Sequence, residues 1–202
     1  MKHPEIVLLP ILMFSDYFLT VLGAVQKRKK YDEHFQSEHY ELNPRWQKQI
    51  AQRKWFNPRH IFCTVLISGL LAYLLETDRM PESFAEGALG CLFIAFGMIV
   101  GRHLSNILTF RRVFRRHDEI SGQVTMTHSL LLSISTYQYL AVAVPMILLA
   151  VFSPTPFVLG GLVGVGLIFV AHGRWILQNR KRGKTVGKTS APVEQLGEEP
   201  DR

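Results

Sequence analysis

The sequence predicts an all-α polytopic membrane protein, a bundle of five transmembrane helices, and two observations indicate this class. Apolar residues gather in five blocks, each near the roughly 20 residues with which a helix crosses a bilayer. Of the 23 Lys and Arg residues, all except Lys2 and Arg79 fall on the same side of the predicted membrane. They lie in two connections, in the C-terminal segment and at the adjoining ends of the spans. Basic segments stay on the cytoplasmic side, so we expect the N-terminus outside and the C-terminus in the cytoplasm.

The bundle is predicted over residues 1–180, with spans at 6–25, 58–75, 84–100, 124–152 and 156–177. The basic run Lys27–Lys30 resists translocation, so the first span is expected to remain uncleaved. Asn57 and Pro58 favour a helix start, because Asn caps helices well and Pro suits the first turn. The fourth block is longer than a span requires, and Pro145 is expected to kink it.

The connection 26–57 is predicted to be an interfacial cytoplasmic segment. Residues Pro44–Phe56 are expected to form an amphipathic helix that lies in the membrane surface, with Trp46 and Trp55 at headgroup depth. The net charge of +7 is then directed at anionic lipids of the cytoplasmic face, and no nucleic-acid partner is inferred. Residues 181–202 lose apolar content and are predicted to be a disordered cytoplasmic tail.

Several polar residues fall at membrane depth. Asp16 lies near the middle of the first span, where an ionisable group costs a few kcal/mol, so we expect it to face the bundle interior beside Thr20 or a polar side chain of span four. We expect no Lys or Arg at that depth. The other candidates for the buried polar set are His128, Ser135 and Tyr139. The candidates for its cytoplasmic mouth are Glu41, Asn43, His103, Asn106 and His172.

Metal and cofactor signals are weak. A three-histidine metal site would require His103, His128 and His172 to converge, and no two of them have the i, i+4 spacing that joins ligands on one helix. We therefore expect no metal and no cofactor. The chain also lacks the H-E-x-x-H, G-x-S-x-G and P-loop motifs of common enzyme classes.

Two short motifs resemble a pattern in small uncharacterised prokaryotic helical membrane proteins. They are Asp16-x-x-x-Thr20 in the first span and Glu41-x-Asn43-Pro44 before the second. The resemblance implies a multi-span bundle and brings no activity with it.

Three classes of function remain open. The one we favour from sequence is a non-catalytic subunit or scaffold with a buried polar network. The alternative is a protein that binds or translocates a small solute, an ion or a proton through Asp16 and a cytoplasm-facing cavity, and the third is an intramembrane enzyme. We expect a prokaryotic inner membrane, with a second copy of the chain or a membrane subunit as the protein partner.

Overall fold

The computed structural model describes residues 3–37, 40–77 and 79–186, with side chains described as far as Gln178. The described chain is mostly helical, and a 3-10 turn at Pro4–Val7 leads into its first long helix. The elements are α1 Leu8–Lys27, α2 Tyr31–His34, β1 Phe35–Ser37, α3 Gln47–Ala51, α4 Pro58–Glu76, α5 Glu82–Arg115, β2 Val124–Met126, α6 His128–Gln138, α7 Leu140–Phe152 and α8 Pro156–Val186.

Five helical stretches of the described chain are long and apolar enough to cross a membrane, which confirms the predicted number. They are Pro4–Lys27, Pro58–Glu76, Glu82–Arg115, His128–Phe152 and Pro156–Gln178. The third is longer than predicted, because the helix continues beyond residue 100 through the basic run that ends at Arg115. At about 1.5 Å per residue, α5 is about 50 Å long, so it exceeds a hydrocarbon core of about 30 Å. Arg112 and Arg115 in its last turn suit the negative end of the helix dipole.

The second span starts where its cap was predicted. The Asn57 side chain accepts a hydrogen bond from the backbone N–H of His60 at 3.3 Å, and Pro58 occupies the first turn. The fourth span starts later than predicted, at His128, because the Thr127 hydroxyl caps the backbone N–H of Leu130 at 3.3 Å.

A short parallel β-ladder is the main departure from the all-α prediction. Strand β1 pairs with β2, with Phe35 opposite Val124 and Ser37 opposite Met126. His34 Nδ1 also lies 3.1 Å from the carbonyl oxygen of Gly122 beside the ladder. Residues 124–126, predicted as the start of a span, are therefore extended, and the ladder ties together two basic connections that are distant in sequence.

The predicted interfacial helix is much shorter than expected. Helix α3 covers five residues, and Arg53, with a φ of 52°, marks the turn that follows it. Ile50 of α3 is 2% exposed and packs against Val21 of α1, so the apolar side of this helix contacts the protein. Trp46 is partly buried and packs edge-on against His60, and its place at headgroup depth stays a prediction. Trp55 stays exposed.

The fourth span is interrupted between α6 and α7. At the break, the backbone N–H of Tyr139 donates to the carbonyl of Thr136 at 3.1 Å, a 3-10 contact that tightens the turn. Pro145 lies inside α7, where its missing N–H removes one helical hydrogen bond. Helix α8 continues to Val186, so residues 181–186 of the predicted tail are helical, while 187–202 lie outside the described residues.

Helix α5 is the central element and packs against α1 and α8. Its contact with α8 is backbone against backbone: a Cβ at Gly160 would lie 1.9 Å from the carbonyl oxygen of Gly87, and one at Gly90 would lie 2.0 Å from that of Phe157. Small residues permit such close approach of helices in lipid. An apolar cluster fills the bundle at this end, near the N-terminus of α1, and contains Ile6, Leu9, Met13, Leu71, Leu75, Ala85 and Leu89.

Gly160→Ala is expected to destabilise the folded bundle by about 1–3 kcal/mol, because the added methyl meets backbone atoms that have no flexible end to move. The matched control is Gly166→Ala in the same helix, where nothing lies within 4 Å of the added Cβ. Unfolding of both variants in a mild detergent measures the difference. Equal midpoints for the two variants would contradict the close contact of α5 with α8.

Candidate functional site

A polar cavity lies at what we call the basic end of the bundle, where α1, α5 and α8 end and α4 and α6 begin. The cavity is partly open and has a volume of about 280 Å³. The sequence candidates that line it are Asp16, Thr20, Glu41, Asn43, His103, Tyr139 and His172. The two halves of the Asp-x-x-x-Thr and Glu-x-Asn-Pro pattern therefore meet at one site, although residues 21–40 separate them in the sequence.

Asp16, Thr20 and His103 form a hydrogen-bonded junction between α1 and α5. The Thr20 hydroxyl donates to the backbone carbonyl of Asp16 at 2.7 Å, which leaves its lone pairs for His103 Nε2 at 2.9 Å. The same nitrogen lies 3.2 Å from Asp16 Oδ1. This geometry suits an Nε2–H that donates to both partners. Thr20 and His103 are buried, whereas the Asp16 side chain is 23% exposed and keeps access to the cavity.

Tyr40 supports the other face of His103. Its hydroxyl lies 3.4 Å from His103 Nδ1 and rests on Gly23, where a Cβ would lie 2.1 Å from the hydroxyl oxygen. A side chain at position 23 would therefore displace the Tyr40 hydroxyl from this position. Burial raises the pKa of Tyr40 to about 12, so its hydroxyl stays protonated and can donate to the imidazole.

Glu41 brings a second carboxyl group to the cavity. Its Oε1 accepts a hydrogen bond from the backbone N–H of Asn43 at 2.7 Å, and its backbone carbonyl accepts one from the Gln47 side chain at 3.2 Å. Burial raises the pKa of Glu41 to about 7, and the nearby charge of Asp16 acts in the same direction. The Asn43 N–H and the charge of Arg102 oppose this shift. Glu41 thus changes its charge near neutral pH.

Arg102 is the main residue of the cavity wall that was not predicted from the sequence, and it corrects the expectation of no Lys or Arg beside Asp16. Arg102 Nη1 donates to the Ser135 hydroxyl, and the guanidinium lies 5.7 Å from the centre of the Tyr139 ring. Its Nε–H is buried without an acceptor among the described residues. The signal in the sequence was its place next to His103, a predicted residue of the cytoplasmic mouth, because the longer α5 brings both residues to the cavity wall.

Aromatic side chains form much of the remaining wall. Tyr17 stacks on His60 with ring centroids 4.7 Å apart, and Trp46 meets the same imidazole at 5.9 Å. Trp175 lies 5.3 Å from His172 on the side of α8. All of these side chains line the cavity. Periodicity alone did not identify them, because aromatic residues are common at both lipid and protein contacts.

The remaining candidates lie around this cavity in different ways. His172 Nδ1 is 3.0 Å from the Thr136 hydroxyl, so it joins α8 to α6. Ser135 lies behind Arg102 and is not part of the cavity wall. Asn106 lines a smaller neighbouring cavity of about 170 Å³. His128 begins α6 and lies outside the polar cavity.

The three histidines considered for a metal do not converge on one point. His103 and His172 line the cavity, but His128 does not. Within residues 3–37, 40–77 and 79–186, no three His, Cys, Asp or Glu side chains lie close enough together to hold a metal ion.

The fold and the cavity define the class of this protein as a multi-pass helical membrane protein with a polar site between its helices. Comparisons with protein-family models, with curated proteins and with solved structures find no match. Function must therefore be argued from the chemistry of the cavity itself.

Asp16→Leu should destabilise the protein by about 1–3 kcal/mol, because it removes the carboxylate acceptor of the buried His103 Nε2–H. Asp16→Asn should lose less stability, since its amide oxygen can still accept a hydrogen bond from His103. Chemical unfolding in detergent measures both, with Thr109→Leu on the exposed face of α5 as the control. The junction is refuted if Asp16→Leu behaves like Thr109→Leu.

Proposed function

We propose that this protein binds a small organic amine, in its cationic ammonium form, in the polar cavity. The observation that carries the proposal is the convergence of two carboxyl groups and several aromatic rings on one partly open space. This is the solute-binding alternative of the sequence analysis, and the cavity favours it over a purely structural network, because a structural network has no need of an open volume.

The charges of the lining favour a single cation. Above pH 7 the wall carries the carboxylates of Asp16 and Glu41 against the guanidinium of Arg102, which leaves one negative charge when the histidines are neutral. Arg102 is already engaged by Ser135 and Tyr139. A buried charge is stable only when it is paired, so one ammonium group completes the balance.

The shape and the walls of the cavity favour an organic cation over an inorganic one. The rings of Tyr17, Trp46 and Trp175 line the cavity, and an ammonium group would gain a cation–π contact from any ring face that it reaches. A volume of about 280 Å³ is at the low end of ligand sites, so the ligand is small or enters with only its polar part.

A structural role is the second candidate function. The Asp16, Thr20 and His103 contacts join α1 to α5 and would equally serve a non-catalytic subunit whose polar groups fasten helices. Under that role the junction stabilises the fold and the cavity binds nothing. The two candidates differ in one measurable property, the response of the protein to amines.

We also propose the orientation that the charge pattern favours: the basic end in the cytoplasm, the segment 26–57 at the cytoplasmic interface, and a prokaryotic inner membrane as the location. The basic connections would then face anionic lipids. A second copy of the chain or a membrane subunit stays a proposed partner, and no nucleic acid is involved.

Single cysteines test this orientation in a Cys63→Ser, Cys91→Ser background. Thr155→Cys should react with a membrane-impermeant maleimide on intact cells, whereas Lys30→Cys should react only after the membrane is permeabilised. The reverse labelling pattern would contradict the proposed topology.

Ethanolamine should stabilise the purified protein in an uncharged detergent, and ethylene glycol, its matched alcohol, should not. The apparent affinity should be about tenfold higher at pH 8 than at pH 6, because a Glu41 with a pKa of about 7 is about nine-tenths ionised at pH 8 and about one-tenth at pH 6. Thermal unfolding against ligand concentration measures both effects. Glu41→Gln should weaken binding and remove its pH dependence. This result would show that the pH dependence comes from Glu41 and not from the histidines of the cavity.

The control for this experiment is Glu33→Gln, which removes an exposed carboxylate outside the cavity. Equal stabilisation by ethanolamine and ethylene glycol would contradict amine binding. Equal losses of ethanolamine affinity in Glu33→Gln and Glu41→Gln would contradict it as well. A protein that ignores amines but is destabilised by Asp16→Leu has the structural role.

A further inference from the structure

A second cavity, an apolar groove between α5 and α7, adjoins the polar cavity. It has a volume of about 620 Å³, and its apolar wall includes Phe93, Met98 and Val142. Gly97 and Gly101 lie one turn apart on α5 in this wall, and nothing lies within 4 Å of a Cβ at either position. The groove floor is therefore bare backbone, with room for an extended apolar chain.

Arg102 and Tyr139 belong to the walls of both spaces. The guanidinium consequently lies where a molecule passing from the groove into the polar cavity would meet it. Its Nε–H is buried without an acceptor in the described part of the chain, so a ligand would reach the guanidinium through its Nη groups. A phosphate group satisfies a guanidinium especially well, because it offers several oxygens to the donor fork.

We infer that the amine in the polar cavity is the headgroup of an aminophospholipid. Its acyl chain lies in the α5–α7 groove, its phosphate contacts Arg102, and its ammonium group lies between Asp16 and Glu41. The inference rests on the proposed amine-binding function and adds the class of the ligand. Apolar area in the groove is then covered by the chain, the ammonium group faces the two carboxylates and the phosphate faces the guanidinium, while the net charge of the cavity is unchanged.

The charges of the site favour this lipid over its relatives. A lipid with an anionic headgroup and no amine would bring its extra negative charge towards two carboxylates. A choline headgroup carries a quaternary ammonium without N–H donors, so it cannot hydrogen-bond to them. A second copy of this chain packed on Gly97 and Gly101 would cover the groove without filling the polar cavity beside it.

The test uses the full chain in an uncharged detergent and measures thermal unfolding against added ligand. The probes are dioctanoyl phosphatidylethanolamine, the matched phosphatidylcholine and phosphatidylglycerol, and glycerophosphoethanolamine, which has the headgroup without chains. The ethanolamine lipid should bind about tenfold or more tightly than either matched lipid, the size expected for losing one charge-assisted hydrogen bond. The chain-free headgroup should bind more weakly than its lipid.

Variants separate the groove from the polar cavity. Gly101→Leu and Gly97→Leu fill the groove where the structure has open space, and each should weaken the ethanolamine lipid about tenfold while leaving ethanolamine binding unchanged. The matched control is Gly69→Leu on α4, an equally open position that does not line the groove. This variant should bind the ethanolamine lipid as tightly as the parent protein does. Arg102→Gln should weaken binding of the ethanolamine lipid more than it weakens binding of ethanolamine.

Each outcome decides between the proposals. If ethanolamine binds but Gly101→Leu and Gly69→Leu hold the lipid equally well, the lipid inference is wrong and the amine-binding function stands. If neither ethanolamine nor the lipid binds, both are wrong. If Gly101→Leu changes the oligomeric state in light scattering, the groove is a contact between copies and the lipid inference is overturned. Equal binding of the three lipids would overturn it as well.

Discussion

The contact among Asp16, Thr20 and His103 is the constraint on which the basic end of this protein depends. An aspartate inside a span is tolerated only when it has partners, and the partners here come from its own helix and from α5. The junction fixes the facing sides of α1 and α5, and Tyr40 then fills the space above the imidazole by resting on Gly23. The connection after α1 is thereby held over the junction, which brings Glu41 to the same cavity.

The two ends of the bundle differ because α5 makes two kinds of contact. Towards the N-terminus of α5, glycines bring its backbone against α8, and an apolar cluster fills the bundle between α1, α4 and α5. Towards the basic end the helices are joined by polar side chains, which need room for hydrogen-bonding geometry and leave a cavity between them. The apolar cluster and the polar cavity therefore occupy different ends of the bundle.

The spans were predictable because membrane helices follow from length and hydropathy, and the inward-facing Asp16 followed from the cost of a charge in lipid. The β-ladder was not predictable, since three-residue strands carry too little pattern to distinguish from a helix end. Helix α3 was predicted too long because its amphipathic pattern fits a lipid surface and a protein surface equally well. Arg102 was missed because the depth of a residue depends on where its helix ends. Helix α5 continues from residue 100, the predicted end of the span, to Arg115.

A double-mutant cycle between Asp16 and His103 tests the central claim most directly. The free energy of unfolding would be measured in detergent for the parent protein, Asp16→Leu, His103→Leu and the double variant. The account predicts a coupling energy between about 0.5 and 3 kcal/mol, the range for residues in direct contact. Losses that add to within about 0.5 kcal/mol would show that the two side chains do not interact, and the cavity built around them would have to be abandoned.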